Sequence, residues 1–264
     1  MNERQWVDLA YKKLKGAFYL DKTELPFLDR LVKFESQGIE KQLADLANLL
    51  KQPEGENWED FISDIENKIG VLVYPKKLKD YAKANIIFNS NDVPVEMEKA
   101  QYFIDMPVMG QLLGVLWILT IGAQIDNRID PEKAWMYEHS YGNRLRKNLI
   151  DKKNSSISHS PYLFEPYFSQ YQSWRDKALS YAEERLDAQQ DALILMLDLR
   201  SFFYSVHISE EKFKSIYTDF HTPQMPRWVK PVHDYIYSVL KSYSAKVRAL
   251  NADTKLQLGE RVFL

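Results

Sequence analysis

Apolar residues recur at three- and four-residue steps through most of the first fifty positions, the signature of helices with one buried face. Trp6, Leu9, Ala10, Leu14 and Ala17 make the first such series. A second helix is predicted from Thr23 or Glu24, with Pro26 in its first turn, where the missing N–H would have no partner anyway. Leu28, Leu31, Val32 and Phe34 carry it onward, and the pattern resumes after Gly38, from Ile39 to Leu50. Gln52 to Glu56 is a loop by composition. Trp58, Phe61, Ile62 and Ile65 then share one face of a helix reaching Lys68. Gly70 to Tyr74 reads as a strand ended by Pro75, and Ile86 to Phe88 as a short strand before a turn. Leu112 to Ile125 is apolar nearly all round; it is too short to span a bilayer and reads as a buried helix. A helix is predicted from about Tyr167 to Gln190, with Trp174, Leu179, Tyr181, Ala182 and Leu186 as its apolar positions. Ser209 can cap a helix opened by Glu210 and Glu211, and Val232 to Ala249 forms another.

The tightest apolar run, Leu193 to Leu197, leads straight into Asp198. Its length fits a buried strand, and a carboxylate there either caps the strand's exit to solvent or is paired or bound to metal. Polar Arg200 and Ser201 follow, then Phe202-Phe203-Tyr204-Ser205-Val206.

Composition narrows the chemistry. The 264 residues hold 35 Lys plus Arg against 37 Asp plus Glu, a net charge of −2. A dedicated nucleic-acid binder is usually more basic, so any such surface here is local. Without cysteine, disulfides and thiolate metal sites are excluded, and the scattered histidines lack ligand spacing. There is no Gly-rich phosphate loop, no Gly-x-Ser-x-Gly elbow and no internal repeat. The N-terminus lacks a signal-type apolar core, so a cytoplasmic protein is expected, with no membrane partner. Positive charge gathers in three places. Lys12, Lys13 and Lys15 interleave with Tyr11, Phe18 and Tyr19, which suits single-stranded nucleic acid or a plain solvated face. Lys76, Lys77 and Lys79 follow the first strand. Arg144, Arg146, Lys147, Lys152 and Lys153 form a patch able to neutralise phosphates. The acids nearest that patch in sequence are Asp126, Asp130 and Asp151. Asn154 to Ser160 reads as a polar, mobile segment.

Asp198-Leu-Arg-Ser-Phe-Phe203-Tyr-Ser-Val206 resembles motif A of reverse transcriptases of the group II intron, retron and phage-defence type. The resemblance implies that Asp198 and the backbone carbonyl of Leu199 bind Mg2+, and that Phe203 lies under the sugar and excludes a 2′-hydroxyl. Magnesium prefers few carboxylates and substrate phosphates, and two such ions can stabilise an in-line displacement. Ser140-Tyr-Gly-Asn-Arg-Leu-Arg146 resembles the family's Ser-Tyr-Gly-Phe-Arg-Pro motif, with Asn143 for the aromatic and Leu145 for the proline. It implies nucleotide contacts from Tyr141 and Arg144 and nucleic-acid contacts from Arg146, Lys147, Lys152 and Lys153. Gly142 would supply the tight turn. The order of turn motif, long helix and aspartate run is also the family's order.

The expected fold is therefore α+β: mostly helical fingers and the start of a small antiparallel palm sheet. Residues 1–69 would be a helical extension, 70–160 the fingers and 161–264 a partial palm. The expected partners are an RNA or DNA template-primer and deoxynucleoside triphosphates, with self-association or a completing chain. No Asp-Asp pair occurs in the sequence. The chain is read as stopping before the family's second metal motif and is expected not to polymerise alone. Two other readings compete: a non-catalytic nucleic-acid- or partner-binding protein of that ancestry, and a helical scaffold with chance matches. A helix-only structure with no strand at 193–198 would favour the scaffold.

Overall fold

The computed structural model describes residues 1–20, 28–78, 97–128, 140–149, 155–197 and 208–253. Within them the chain is mostly helical with small antiparallel ribbons, an α+β arrangement. The N-terminal helices are α1 (Glu3–Leu20), α2 (Leu28–Ser36), α3 (Ile39–Lys51) and α4 (Glu56–Lys68). The expected start of α2 near Thr23 lies outside the described residues. Next comes a ribbon of β1 (Gly70–Leu78) and β2 (Met97–Asp105), paired from Gly70↔Asp105 to Leu78↔Met97. Pro75 does not end β1 as predicted. Every strand of a two-stranded ribbon is an edge, where a missing N–H is tolerated, and the pairing slips between Pro75 and Lys77. The strand expected at Ile86 to Phe88 and the residue Lys79 lie outside the described residues.

The central apolar helix is longer than its predicted limits. It comprises α5 (Val108–Trp117), a π-helical turn (Ile118–Gly122) and α6 (Ala123–Arg128). Its 21 residues, with mean hydropathy 1.7 over the best window, pass a length-and-composition test for crossing a membrane. Leu112, Leu113, Leu116 and Ile121 are nonetheless buried, and α5 packs against α1 and α9 (Val229–Asp253). A helix apolar all round is enclosed by protein or by lipid, and 56% of this apolar window is buried by the protein itself. Helices α1, α3 and α4, the α5–α6 unit and α9 thus share one core, to which all three expected segments contribute.

Helix α8 (Glu210–Phe220) starts as predicted, with Ser209 Oγ accepting from the Lys212 N–H at 3.2 Å. It is tied to α5 and α9 through His233, which is buried. Trp117 Nε1 donates to His233 Nδ1 at 3.0 Å, and the carbonyl of Phe213 lies 3.0 Å from Nε2. An indole N–H only donates and a carbonyl only accepts, so the proton sits on Nε2 and the ring is neutral. Burial pushes its pKa below the ordinary histidine value. Its contribution is complete above the unfolded value near 6.5 and is lost as pH falls below it. Between pH 7.5 and 5.5 the wild-type melting temperature should therefore fall more steeply than that of His233→Gln. Parallel profiles would show that the ring does not couple to unfolding.

Among the described residues, the strand expected from Leu193 is not formed. Residues 191–197 have no regular structure, and Leu193 to Leu197 are 52–93% exposed. A strand needs a neighbour for its N–H and C=O groups, and among the described residues none lies beside this run. Its helix, α7 (Tyr167–Asp187), also buries no residue. The positions expected to face inward, Trp174, Leu179, Tyr181 and Leu186, are exposed.

Candidate nucleic-acid interface

The segment from Ser140 to Leu149 is pinned from three directions. Strand β3 (Lys147–Leu149) pairs with β4 (Ser155–Ile157) in register Lys147↔Ile157. The pairing continues outward, with the Ser158 N–H donating to the Arg146 carbonyl at 3.2 Å. On the other edge the Arg146 N–H donates to the Leu163 carbonyl at 3.0 Å and the Glu165 N–H to the Arg144 carbonyl at 2.8 Å. Residues 155–158, expected to be mobile, are thus the partner strand of the motif, and Ser158 is buried. The polar composition misled because a ribbon edge satisfies backbone groups without needing apolar side chains.

The second anchor is Asp126 on α6, 8% exposed at its side chain. Its Oδ1 accepts from Arg144 Nε at 2.7 Å, and Lys147 pairs with its other oxygen. Burial works against this carboxylate's charge, but the Arg144 and Lys147 hydrogen bonds outweigh it and hold the pKa below the usual aspartate value. Asn127 Oδ1 also accepts from Lys147, at 2.7 Å. The π-turn before α6 fits this placement, because one extra residue in a turn rotates everything beyond it. Thr120 Oγ1 in that turn donates back to the Leu116 carbonyl of α5 at 2.8 Å.

The third anchor is α1. Lys13 is fully buried, and its Nζ donates to the carbonyls of Ser160 (3.1 Å) and Tyr162 (2.7 Å). Burial, with like charge from Lys12 and Arg146, lowers its pKa to about 8. One turn on, Gly16 lets the backbone of Pro161 approach so closely that a Cβ would run into the Pro161 carbonyl. The lysines of α1 therefore separate by role. Lys13 is a structural clamp, Lys15 pairs with Glu35 at 2.7 Å, and Lys12 is exposed.

The turn itself differs from the prediction in one respect. The left-handed residue is Asn143, at φ 52°, and not Gly142. Asparagine is among the few non-glycine residues that adopt this conformation readily, which accounts physically for asparagine in place of the aromatic. Tyr141 is half-buried beside it.

Of the residues assigned by resemblance, Arg144 and Lys147 are engaged by Asp126, and Arg146 lies over the ring of Tyr162, 4.8 Å from its centroid. Asp198, Leu199, Phe203, Lys152 and Lys153 lie outside the described residues. Among the described residues no group of three or more histidine, aspartate or glutamate side chains is placed to hold a metal ion. Sequence reasoning missed the parts played by Asp126, Lys13, Gly16 and Tyr162. Lys13 gave the best available signal, a lysine on the same helical face as Trp6, Leu9 and Ala17. Comparison with family models, curated proteins and solved structures returns no match.

Proposed function

We propose that this chain provides the fingers and first palm segment of a reverse-transcriptase-type nucleotidyltransferase, cytoplasmic and of the phage-defence kind. Asp198, with the Leu199 carbonyl, takes part in holding Mg2+ for in-line transfer of a nucleotide onto a primer. Phe203 screens the sugar of the incoming deoxynucleoside triphosphate. The observation that carries the reading is the sequential order of the Ser140–Arg146 motif, a 21-residue helix and the Asp198–Val206 motif. The anchored turn at 140–146 supports it, since a template or nucleotide contact needs a fixed backbone.

The test begins with the coding DNA beyond codon 264. The chain is then expressed with whatever follows in frame and assayed for Mg2+-dependent extension of a primed template. Extension abolished by Asp198→Ala is the expected result. No second acidic motif and no extension would overturn the reading.

A second reading, a non-catalytic partner-binding protein, is favoured by α7 and the run after it. Tyr167, Tyr171, Trp174 and Tyr181 form one exposed row on α7, and Leu193 to Leu197 beyond it are exposed as well. Exposed apolar surface of this extent is typical of interaction sites.

A further inference from the structure

We infer that the seam between α1 and the paired segments 144–149 and 155–163 binds the phosphates of a single-stranded nucleic acid, with Lys12 and Arg146 as its cations and Tyr162 as a stacking ring. The inference deepens the proposed function and rests on its nucleic-acid partner.

The described carboxylates neutralise some of the positive charges here and leave others. Asp126 takes up Arg144 and Lys147. Arg146, between them in sequence, has no carboxylate among the described residues and lies over Tyr162. The carbonyl of Tyr162 is in turn held by Lys13, whose charge feels both Lys12 and Arg146. Among the described residues neither Lys12 nor Lys13 has an acidic partner. Lys13 and Arg146 therefore meet at Tyr162, where α1 joins the ribbon, with Lys12 next to Lys13 on the helix and no carboxylate paired to any of the three among the described residues. Elsewhere on the same helix the fold does neutralise its cations, Arg4 by Asp8 and Glu40, and Lys15 by Glu35.

Such a cluster is unfavourable to the fold alone and favourable once an anion joins it. Lys13 is buried and cannot touch a ligand, so its part is to raise the local potential and fix the Tyr162 backbone. Lys12 is exposed, Arg146 half-buried and Tyr162 37% exposed, so these three are accessible. An arginine lying across a tyrosine ring beside a second cation is the combination that holds a base by stacking and its phosphates by charge. A nucleoside triphosphate shares the phosphate chemistry, but spaced cations beside an open ring fit a strand better.

The test is fluorescence anisotropy of the full chain with a labelled 20-nucleotide single strand, in RNA and DNA forms, across a salt series. A labelled deoxynucleoside triphosphate forms the other arm. Lys12→Ala/Arg146→Ala should weaken strand binding at least tenfold. It should also flatten the log K against log salt slope by about 1.4, two phosphates at roughly 0.7 each for single strands. Lys33→Ala/Lys230→Ala should leave both unchanged. Lys12→Arg/Arg146→Lys, which keeps the charges, should retain the slope and guards against loss of fold. If the wild type binds and Lys12→Ala/Arg146→Ala binds equally with the same slope, the seam is not the site, while the proposed function stands. The same holds if binding is lost only in Tyr171→Ala/Trp174→Ala on α7. Binding of the triphosphate but not the strand also overturns the inference. A wild-type chain that binds no strand at low salt overturns both it and the nucleic-acid part of the proposed function.

Discussion

Asp126→Asn should destabilise the chain by about 3–5 kcal/mol, the usual cost of removing one partner from a buried ion pair. The asparagine keeps the volume and one carbonyl oxygen but leaves Arg144 and Lys147 without their shared negative charge. Their side chains are only 13% and 15% exposed, so water cannot readily replace it. For a chain of this size the melting temperature should drop by roughly 6–15 °C. The difference between the variant and the wild type should also depend on pH in a defined direction. Asp126 has a folded pKa below its unfolded value. Its contribution is complete above the unfolded value of about 3.9 and is lost as pH falls below that toward the folded pKa. Melting curves at pH 7 and pH 3 check both points. A variant as stable as the wild type at pH 7 would show that Asp126 does not organise the turn. The freed cations should meanwhile strengthen non-specific strand binding at low salt, so stability and binding should move in opposite directions.

The helices were legible because their information is local. Each of α1, α3, α4 and α9 carries its own apolar stripe, and Ser209 its own cap. The motif at 140–146 was legible as a turn, but not the way it is held. Asp126 lies eighteen residues before Arg144 in sequence. Lys13 lies 147 residues from Ser160. No periodicity links such pairs; only the packing of α6 and α1 against the ribbon does. The same limit explains the opposite error at 193–197, where five successive apolar residues spelled a buried strand. Burial and pairing are supplied by neighbours, and among the described residues this run has none. Its sequence states a need for cover without stating what provides it.

Trp228→Ala tests whether the three stretches 1–69, 70–160 and 161–264 melt as one unit. Trp228 is fully buried and sits edge-on to Trp6 of α1, with ring centroids 5.9 Å apart and planes at 78°. Val229, Val232 and Tyr235 follow it into the same cluster as Leu112 and Leu116 of α5. Removing the indole leaves a cavity between the first helix and the last, and truncations of this kind cost about 3–5 kcal/mol. Because the cavity belongs to a core shared by all three stretches, the whole transition should move as one, by roughly 6–15 °C. Two transitions, with only the later residues affected, would show instead that α8 and α9 fold apart from α1 to α6. Trp228→Phe separates volume from polarity. Trp228 Nε1 is buried without a hydrogen-bond partner among the described residues, so losing it removes an unsatisfied donor while most of the ring remains. The phenylalanine variant leaves a much smaller cavity than the alanine one and should therefore cost clearly less. A phenylalanine variant as unstable as the alanine one would mean that the N–H has a partner in solution and that the indole does more than fill the core.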